Sequence, residues 1–221
     1  MTFRCDAVLF DMDGTLVDSR IACDNLLRSW ATRHGLDAEL ISASAHGRTN
    51  RDIAREFTPH LIADEEGARL DEEELLYREG NVAVPGAVHI IAALPLGSWA
   101  LVTSASRRVA EMRLECADLP APAVLVSSDD VRRGKPDPEG YLMAAERLGV
   151  APERCLVVED TPTGLEAARR AGMDVLGITT TFQASELAAA TCIADFTAVQ
   201  VGQTEGSGTP RLELRVSAHR S

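Results

Sequence analysis

The sequence predicts an α/β fold, a doubly wound parallel sheet with a small helical domain inserted into it. Two observations predict this class. Short apolar runs alternate with segments of helical periodicity through the second half of the chain. A matching apolar run stands near the start, separated from the others by a long polar block with helical character. Strands that alternate with helices pair in parallel through right-handed crossovers, so these runs are expected to share one sheet.

The first strand is predicted at residues 5–10, around the apolar run Ala7-Val8-Leu9-Phe10. A helix follows from about 19 to 34, where apolar residues recur at near-helical spacing, and Gly35 ends it. From there to about residue 82 the chain is helical and polar, without a convincing strand. Such a block can sit over the carboxyl ends of the strands as a cap.

The remaining elements follow the punctuation Val84-Pro85-Gly86. Strands are predicted at 99–103, 123–126, 155–158 and 175–178, and helices at 106–115, 138–148 and 162–171. A terminal hairpin is predicted within 197–216, turning at Gly206-Ser207-Gly208. The predicted domains are a core from residues 1–16 and 83–221 and a helical cap from residues 17–82.

Composition narrows the classes of partner. The 221 residues are 45% hydrophobic, as expected for a globular chain, and carry a formal net charge of −12. That charge disfavours nucleic acid and anionic membranes as partners. The five cysteines are odd in number and form no C-x-x-C pair, which argues against a zinc site or a disulfide framework. With no signal pattern or long apolar span, we expect a cytoplasmic protein, and no obligate protein partner is evident.

Two aspartates, Asp11 and Asp13, directly follow the first strand and precede Gly14. Ligands of open α/β sheets bind at the carboxyl ends of strands. Two close carboxylates repel each other unless a cation or a shared proton intervenes, and hard oxygen ligands favour Mg²⁺. An ordinary polar turn is the alternative interpretation.

Polar residues also follow the later strands. Ser104 and the free amides after it, at Ala105, make an anion site at a helix start, although Ser104 or Ser106 could simply cap that helix. Lys135 lies in a loop with a proline on either side of Asp137, so its charge is held in place. Its expected partners are a carboxylate and phosphoryl oxygens.

Glu159 and Asp160 end the strand at 155–158. They would lie close to Asp11 if the two strands are near neighbours. Capping of the following helix is their alternative role. Three converging carboxylates would be unstable without a cation, so a bound divalent metal is the simpler interpretation.

Taken together, Asp11-Met12-Asp13-Gly14-Thr15, Val102-Thr103-Ser104, Gly134-Lys135-Pro136 and Glu159-Asp160 resemble, in order, the four motifs of the haloacid dehalogenase superfamily of phosphotransferases. The position of the inserted block resembles the subfamily with a small helical cap. The resemblance spans about residues 5–195 and implies a Rossmann-like core.

The resemblance implies a role for each matching residue. Asp11 would be the nucleophile that forms an aspartyl-phosphate, and Asp13 the general acid and base. Ser104, with Ala105, would hold the phosphoryl oxygens, and Lys135 would offset charge between nucleophile and phosphate. Mg²⁺ would be bound by Asp11, Asp160 and the backbone carbonyl of Asp13, with Glu159 assisting.

Further strings, among them His46-Gly47-Arg48-Thr49, are similar to glycerol-3-phosphate phosphatases and related sugar-phosphate phosphatases. The implied substrate is a small sugar or polyol phosphate monoester. His46, Arg48 and Arg51 are the cap residues expected to contact it. Each could instead be a helix-start or surface residue.

Two other functions stay open. Phosphomutases of the β-phosphoglucomutase kind share the four motifs, but they carry a cap histidine twelve residues after the nucleophile, where this chain has Cys23. A thiol cannot replace an imidazole at neutral pH without a strongly lowered pKa, which favours hydrolysis. The other is a phosphometabolite-binding protein without turnover, against which all four intact motifs argue.

Overall fold

A six-stranded parallel sheet forms the centre of the molecule. The computed structural model describes residues 1–187, 189, 191–204 and 211–217. In their spatial order, the strands of the sheet are β6 (Val124–Val126), β5 (Trp99–Val102), β2 (Ala7–Phe10), β7 (Cys155–Glu159), β8 (Asp174–Ile178) and β9 (Cys192–Ile193). The predicted parallel α/β class is therefore confirmed.

Strand β2 lies between β5 and β7, and both pairings are parallel. All four residues of β2 are buried, because helices cover both faces of the sheet. Because these three strands are parallel neighbours, the residues that follow β2, β5 and β7 meet at one edge of the sheet. The covering helices are α5 (Ala87–Ala93), α6 (Arg107–Cys116), α7 (Glu139–Leu148), α8 (Pro162–Arg170) and the short α9 (Ala184–Leu187).

The predicted polar block folds as four helices: α1 (Arg20–His34), α2 (Ala38–Ala45), α3 (Asn50–Phe57) and α4 (Ala63–Glu74). They share an apolar core that contains Trp30, Ile41, Ile53 and Leu70 and no residue of the central sheet. The indole Nε1 of Trp30 donates to Glu66 at 2.8 Å within this core. We call residues 17–82 the helical block.

Two short strands join the helical block to the rest of the chain. Strand β3 (Val17–Asp18) pairs antiparallel with β4 (Val82–Ala83), so the chain leaves and returns at one place. The predicted domain boundaries fall on this strand pair. We propose that it is the base of a cap domain.

A second, antiparallel sheet has the order β1-β11-β10. Its strands are β1 (Thr2–Cys5), β10 (Val199–Thr204) and β11 (Arg211–Val216). β10 and β11 pair as predicted for the terminal hairpin, and Gly206-Ser207-Gly208 lies outside the described residues. The prediction of one strand at 5–10 is wrong. Asp6 separates β1 from β2 where the chain passes from one sheet to the other. Its backbone amide donates a hydrogen bond to the carbonyl of Arg154 at 2.8 Å.

Candidate active site

Three buried carboxylates meet where β2 and β7 end. Oxygens of Asp11, Glu159 and Asp160 lie within 4.8 Å of one another. The cause is topological, because Asp11 directly follows β2, while Glu159 is the last residue of the neighbouring parallel strand β7 and Asp160 follows it. The structure thus brings together three acids from two distant sequence motifs.

Lys135 is the cation of this cluster. Its Nζ contacts Asp11 Oδ1, lies 2.6 Å from Glu159 Oε1 and donates to the Val102 carbonyl at 3.3 Å. It also stands 5.3 Å from the centre of the Tyr141 ring. Burial would lower the pKa of this lysine, but Asp11 and Glu159 more than offset burial and hold its pKa well above the ordinary value. Lys135 therefore stays charged.

Burial is also the main influence on the acids. It raises the pKa of Asp11 to about 8, helped by Glu159 and Asp13 and opposed by Lys135. Burial raises the pKa of Asp160 well above its ordinary value too, with further contributions from Glu159 and Asp11. Three buried carboxylates face one lysine, so ionising them all leaves uncompensated negative charge. This donor set suits a divalent cation such as Mg²⁺, which binds carboxylate oxygens.

Glu159 differs from the other two acids because both its oxygens already have partners. Oε1 accepts from Lys135 and from the Tyr141 hydroxyl at 3.1 Å, and Oε2 accepts from the amide and the hydroxyl of Thr161, each at 2.9 Å. A Cβ on Gly164 would lie 1.6 Å from Oε1. Only glycine fits there, and the contacts favour a role in holding Lys135. The predicted help of Glu159 in metal binding stays a prediction.

Gly14 leaves the space that the Asp160 carboxylate occupies. Its φ of +77° favours glycine, and a Cβ there would lie 2.0 Å from Asp160 Oδ2. The Thr15 hydroxyl is 3.4 Å from Asp160 Oδ1. The glycine that the sequence marked only as a turn also makes room for the second acid.

Asp13 is half-buried beside this cluster. Its Oδ1 accepts from the Ser19 hydroxyl at 2.7 Å and lies 2.8 Å from Nη1 of Arg113. Sequence reasoning missed Arg113, which is only 2% exposed in its side chain and lies on α6. One signal was available: Arg113 follows the buried Val109 by four residues, so it falls on the apolar face of that helix.

Ser104 and Ala105 follow β5 at the same edge. The Ser104 hydroxyl donates to the carbonyl of Gly47 in the helical block at 2.8 Å, and the Ala105 amide donates to Thr103 Oγ1 at 3.1 Å. Ser106 is the residue at the N-cap of α6, without a side-chain cap bond. Ser104 thus contacts the helical block and does not cap the helix. Its predicted phosphate contact stays a prediction.

A cavity of about 680 Å³ lies between the helical block and the sheet edge. Asp11, Asp13, Ser104 and Asp160 line it from the core side. From the helical block come polar residues, namely Arg20, Asp24, Glu39, Ser42, His46, Arg48, Asn50 and Glu74. The site is therefore a partly open cavity with carboxylates on its floor and polar groups above.

The three predicted cap residues differ in position. His46 lines the cavity and packs edge-on against Phe182, and burial, then Arg20, lowers its pKa. Arg48 lines the cavity but pairs with Glu56 at 2.7 Å. Arg51 is not among the residues that line the cavity; it donates to the Arg132 carbonyl at 3.3 Å. Neither arginine is placed as an unpaired cation for a second phosphate.

Comparison with known proteins agrees with this geometry. The family model of haloacid dehalogenase-like hydrolases matches residues 5–172. The chain is 41% identical over 190 residues to hexitol phosphatase A of Escherichia coli (strain K12), covering 79% of this chain and 83% of that protein. It is 32% identical over 230 residues to glycerol-1-phosphate phosphohydrolase 1 of Saccharomyces cerevisiae, covering 97% and 91%.

A solved structure, described as a hydrolase from Pseudomonas syringae, superposes with a TM-score of 0.74 at 26% identity, covering 86% of this chain and 93% of that one. The resemblance noted in the sequence is thereby confirmed, as is the prediction of a hydrolase acting on phosphoric monoesters. The chain belongs to the haloacid dehalogenase-like hydrolases.

Proposed function

We propose that this chain hydrolyses small sugar or polyol phosphate monoesters, with Mg²⁺, through an aspartyl-phosphate on Asp11. One observation carries the proposal: a buried aspartate, paired with a buried lysine, lines the cavity between the helical block and the carboxyl ends of the strands. The named activities of the relatives support the substrate class. The free state of all five cysteines supports the expected cytoplasmic location.

The reaction has two displacements at phosphorus. An oxygen of Asp11 attacks, the bond from phosphorus to the substrate oxygen breaks, and Asp13 gives its proton to the departing alkoxide. A water then attacks the aspartyl-phosphate, Asp13 takes the proton of that water, and the bond to Asp11 breaks to release inorganic phosphate. Lys135 holds Asp11 in place and offsets the negative charge that gathers there.

Asp11 and Asp160 would hold the metal, together with the carbonyl of Asp13. When bound, the cation supplies positive charge that neutralises the phosphoryl oxygens and the acids around them. Asp160 has no other chemical role in this scheme. The contact of Lys135 with both Asp11 and Glu159 means that removing this lysine would disturb the nucleophile and its support together.

Cys23 favours hydrolysis over the phosphomutase alternative. Its thiol lies 3.0 Å from Arg113 and 3.7 Å from the Ser19 hydroxyl, and burial raises its pKa to about 11. A neutral thiol in this place cannot shuttle protons as an imidazole would. Water, which Asp13 can activate, is then the acceptor.

The charges above the floor also bear on the substrate. Asp24, Glu39 and Glu74 contribute carboxylates to the cavity, where they can accept hydrogen bonds from hydroxyl groups. The arginines that line the cavity are already in ion pairs, Arg20 with Asp18, Arg48 with Glu56 and Arg113 with Glu74, so none of them is free to bind a second phosphate. We infer a preference for monophosphates of hydroxyl-rich alcohols over bisphosphates.

The test is a panel of phosphate esters measured with and without Mg²⁺. Glycerol phosphates, hexitol phosphates, hexose 6-phosphates and a sugar bisphosphate would be ranked by kcat/KM, with p-nitrophenyl phosphate as a general substrate. We expect metal-dependent release of phosphate, the monophosphates ahead of the bisphosphate, and no turnover by Asp11→Asn.

Three outcomes would contradict the proposal. Phosphate release by a folded Asp11→Asn variant at the wild-type rate would remove Asp11 as nucleophile. Conversion of β-glucose 1-phosphate to its 6-phosphate with little free phosphate would favour the mutase. A folded wild type that binds the esters but does not turn them over with Mg²⁺ would favour the binding protein.

A further inference from the structure

Arg113 carries a charge in the interior, next to the active site, that the proposed mechanism does not use. Its side chain is 2% exposed, and Nη1 forms an ion pair with Oδ1 of Asp13 at 2.8 Å. Its Nη2 lies 2.5 Å from Glu74 Oε1, and its Nε donates to Asn81 Oδ1 at 3.3 Å. A buried arginine is costly unless each of its donors is paired, and here they are paired on several sides.

Besides the Cys23 thiol, the guanidinium has three oxygen partners, and these come from different parts of the fold. Asp13 belongs to the loop after β2, Glu74 is the last residue of α4, and Asn81 directly precedes β4. Arg113 itself lies on α6, which packs on the central sheet. The guanidinium therefore joins the general acid to the helical block through one rigid group, which a flexible ammonium could not do.

The bonding of Asp13 shows what the arginine does to it. Both Ser19 and Arg113 reach Oδ1, and among the described residues none donates to Oδ2. The hydrogen bond from Ser19 and the ion pair with Arg113 both act on Oδ1, so they hold the carboxyl group and leave the other oxygen to exchange a proton with the substrate. An acid protonated at Oδ2 can still accept from Ser19 at Oδ1 and face the guanidinium there.

We propose that Arg113 is a positioning residue, which orients Asp13 for proton transfer and ties that orientation to Glu74 of the helical block. The inference rests on the proposed function, in which Asp13 is the general acid. The alternative is a purely structural role, in which the arginine only holds the helical block against the core. The two roles predict different effects of a substitution on kcat/KM for substrates with different leaving groups.

The leaving group gives the required readout. The alkoxide of glycerol phosphate needs a proton as it departs, whereas p-nitrophenolate leaves without one. The ratio kcat/KM includes only the steps through release of the alcohol, so later hydrolysis of the aspartyl-phosphate does not enter it. We expect Arg113→Met to lower kcat/KM for glycerol phosphate by about 10²-fold or more, and for p-nitrophenyl phosphate by less than about tenfold.

The chain offers a matched control. Arg108 lies on the same helix and contacts Glu72 of α4, so it also joins α6 to the helical block, but at the surface and away from Asp13. Arg108→Met should leave the ratio between the two substrates as in wild type. Arg113→Lys keeps the charge without the fork, and we expect an intermediate, equally selective loss.

A double-mutant cycle completes the test. If Arg113 acts through Asp13, Arg113→Met added to Asp13→Asn should cause little further loss on glycerol phosphate. Equal losses on both substrates, in either Arg113→Met or Arg113→Lys, would overturn the inference in favour of the purely structural role. If Arg113→Met does not fold, Arg113→Lys decides alone. Failure of wild type to hydrolyse either ester would instead contradict the proposed function.

Discussion

The pair of Asp11 and Lys135 shows how single residues define this site. Neither group is unusual in the sequence, and each becomes so by burial beside the other. Desolvation opposes the charge of Asp11, while the lysine supports it. The ionisation of Asp11, the proposed nucleophile, is therefore set by the charges around it, which makes it sensitive to cations and to pH.

Metal-dependent stability should reveal that sensitivity. The pKa of Asp11 is about 8 in the folded protein against an ordinary 3.8, so between these values the folded state binds more protons than the unfolded chain. Raising the pH through this window therefore destabilises the metal-free protein. If Mg²⁺ binds the ionised acids, as proposed, the increase in Tm that it causes should be larger at about pH 8 than at about pH 5.

Thermal melting with and without MgCl₂ at both pH values makes the measurement. Asp160→Asn serves as the control, since losing one acid should shrink the effect of the metal. An increase in Tm that does not change with pH, or that persists undiminished in the variant, would show that Mg²⁺ binds elsewhere.

Removal of Lys135 should be costly. Lys135→Met leaves the Glu159 carboxylate buried without its counter-charge, and removing one partner of a buried ion pair costs about 3–5 kcal/mol. Urea denaturation at neutral pH measures the loss. Arg55→Met is the control, because it removes an exposed pair with Asp52 on α3 that is worth about 1 kcal/mol at most. Equal losses in the two variants would contradict the assigned role.

At the scale of elements, the start of α8 is fitted to the site. Gly164 lies in the first turn, against the Glu159 carboxylate that supports Lys135. The first turn of α8 is thus packed directly against the ion pair of Glu159 and Lys135. The sequence predicts the helix, but not that its first turn forms one wall of the site.

Gly164→Ala should disturb both the start of α8 and the ion pair of Glu159 and Lys135. The added Cβ would lie 1.6 Å from Glu159 Oε1, so the acid must move and Lys135 with it. We expect a loss of about 1–3 kcal/mol in unfolding free energy together with reduced kcat. Gly202→Ala is the matched control, because a Cβ there meets nothing nearer than 3.9 Å. A fully active Gly164→Ala would contradict this packing.

Elements differed in how well the sequence predicted them. The strand predicted at 155–158 is Cys155–Glu159, because a run of buried apolar residues on a two-sided sheet defines its own limits. Arg113 was not predicted, since its partners Glu74 and Asn81 lie 39 and 32 positions earlier and meet it only in the fold. Likewise, the polar sequence of the helical block did not reveal that Arg48 would pair with Glu56.

On the scale of the whole molecule, the net charge of −12 opposes an anionic substrate. Lys135, the cation beside Asp11, is buried and paired, so it attracts a substrate in solution only weakly. Among the described residues, no helix has the length and apolar character needed to cross a membrane. Encounter with the substrate then takes place against the field of the protein.

Salt should therefore speed encounter. Raising ionic strength from about 0.01 M to about 0.15 M shortens the screening length from about 30 Å to about 8 Å and weakens the repulsion. We expect kcat/KM for a phosphate monoester to rise over this range, at saturating Mg²⁺, with kcat little changed. A falling kcat/KM would mean that local cations, and not the global charge, govern the approach.

The distribution of tryptophan has a practical consequence. The chain has two, and both are buried: Trp30 inside the helical block and Trp99 on β5, edge-on to Phe10. Each is an intrinsic fluorophore that belongs to one part of the molecule alone. Replacing either with phenylalanine would leave a single emitter, so unfolding or ligand-linked motion of the two parts could be followed separately, by light, without attaching a dye.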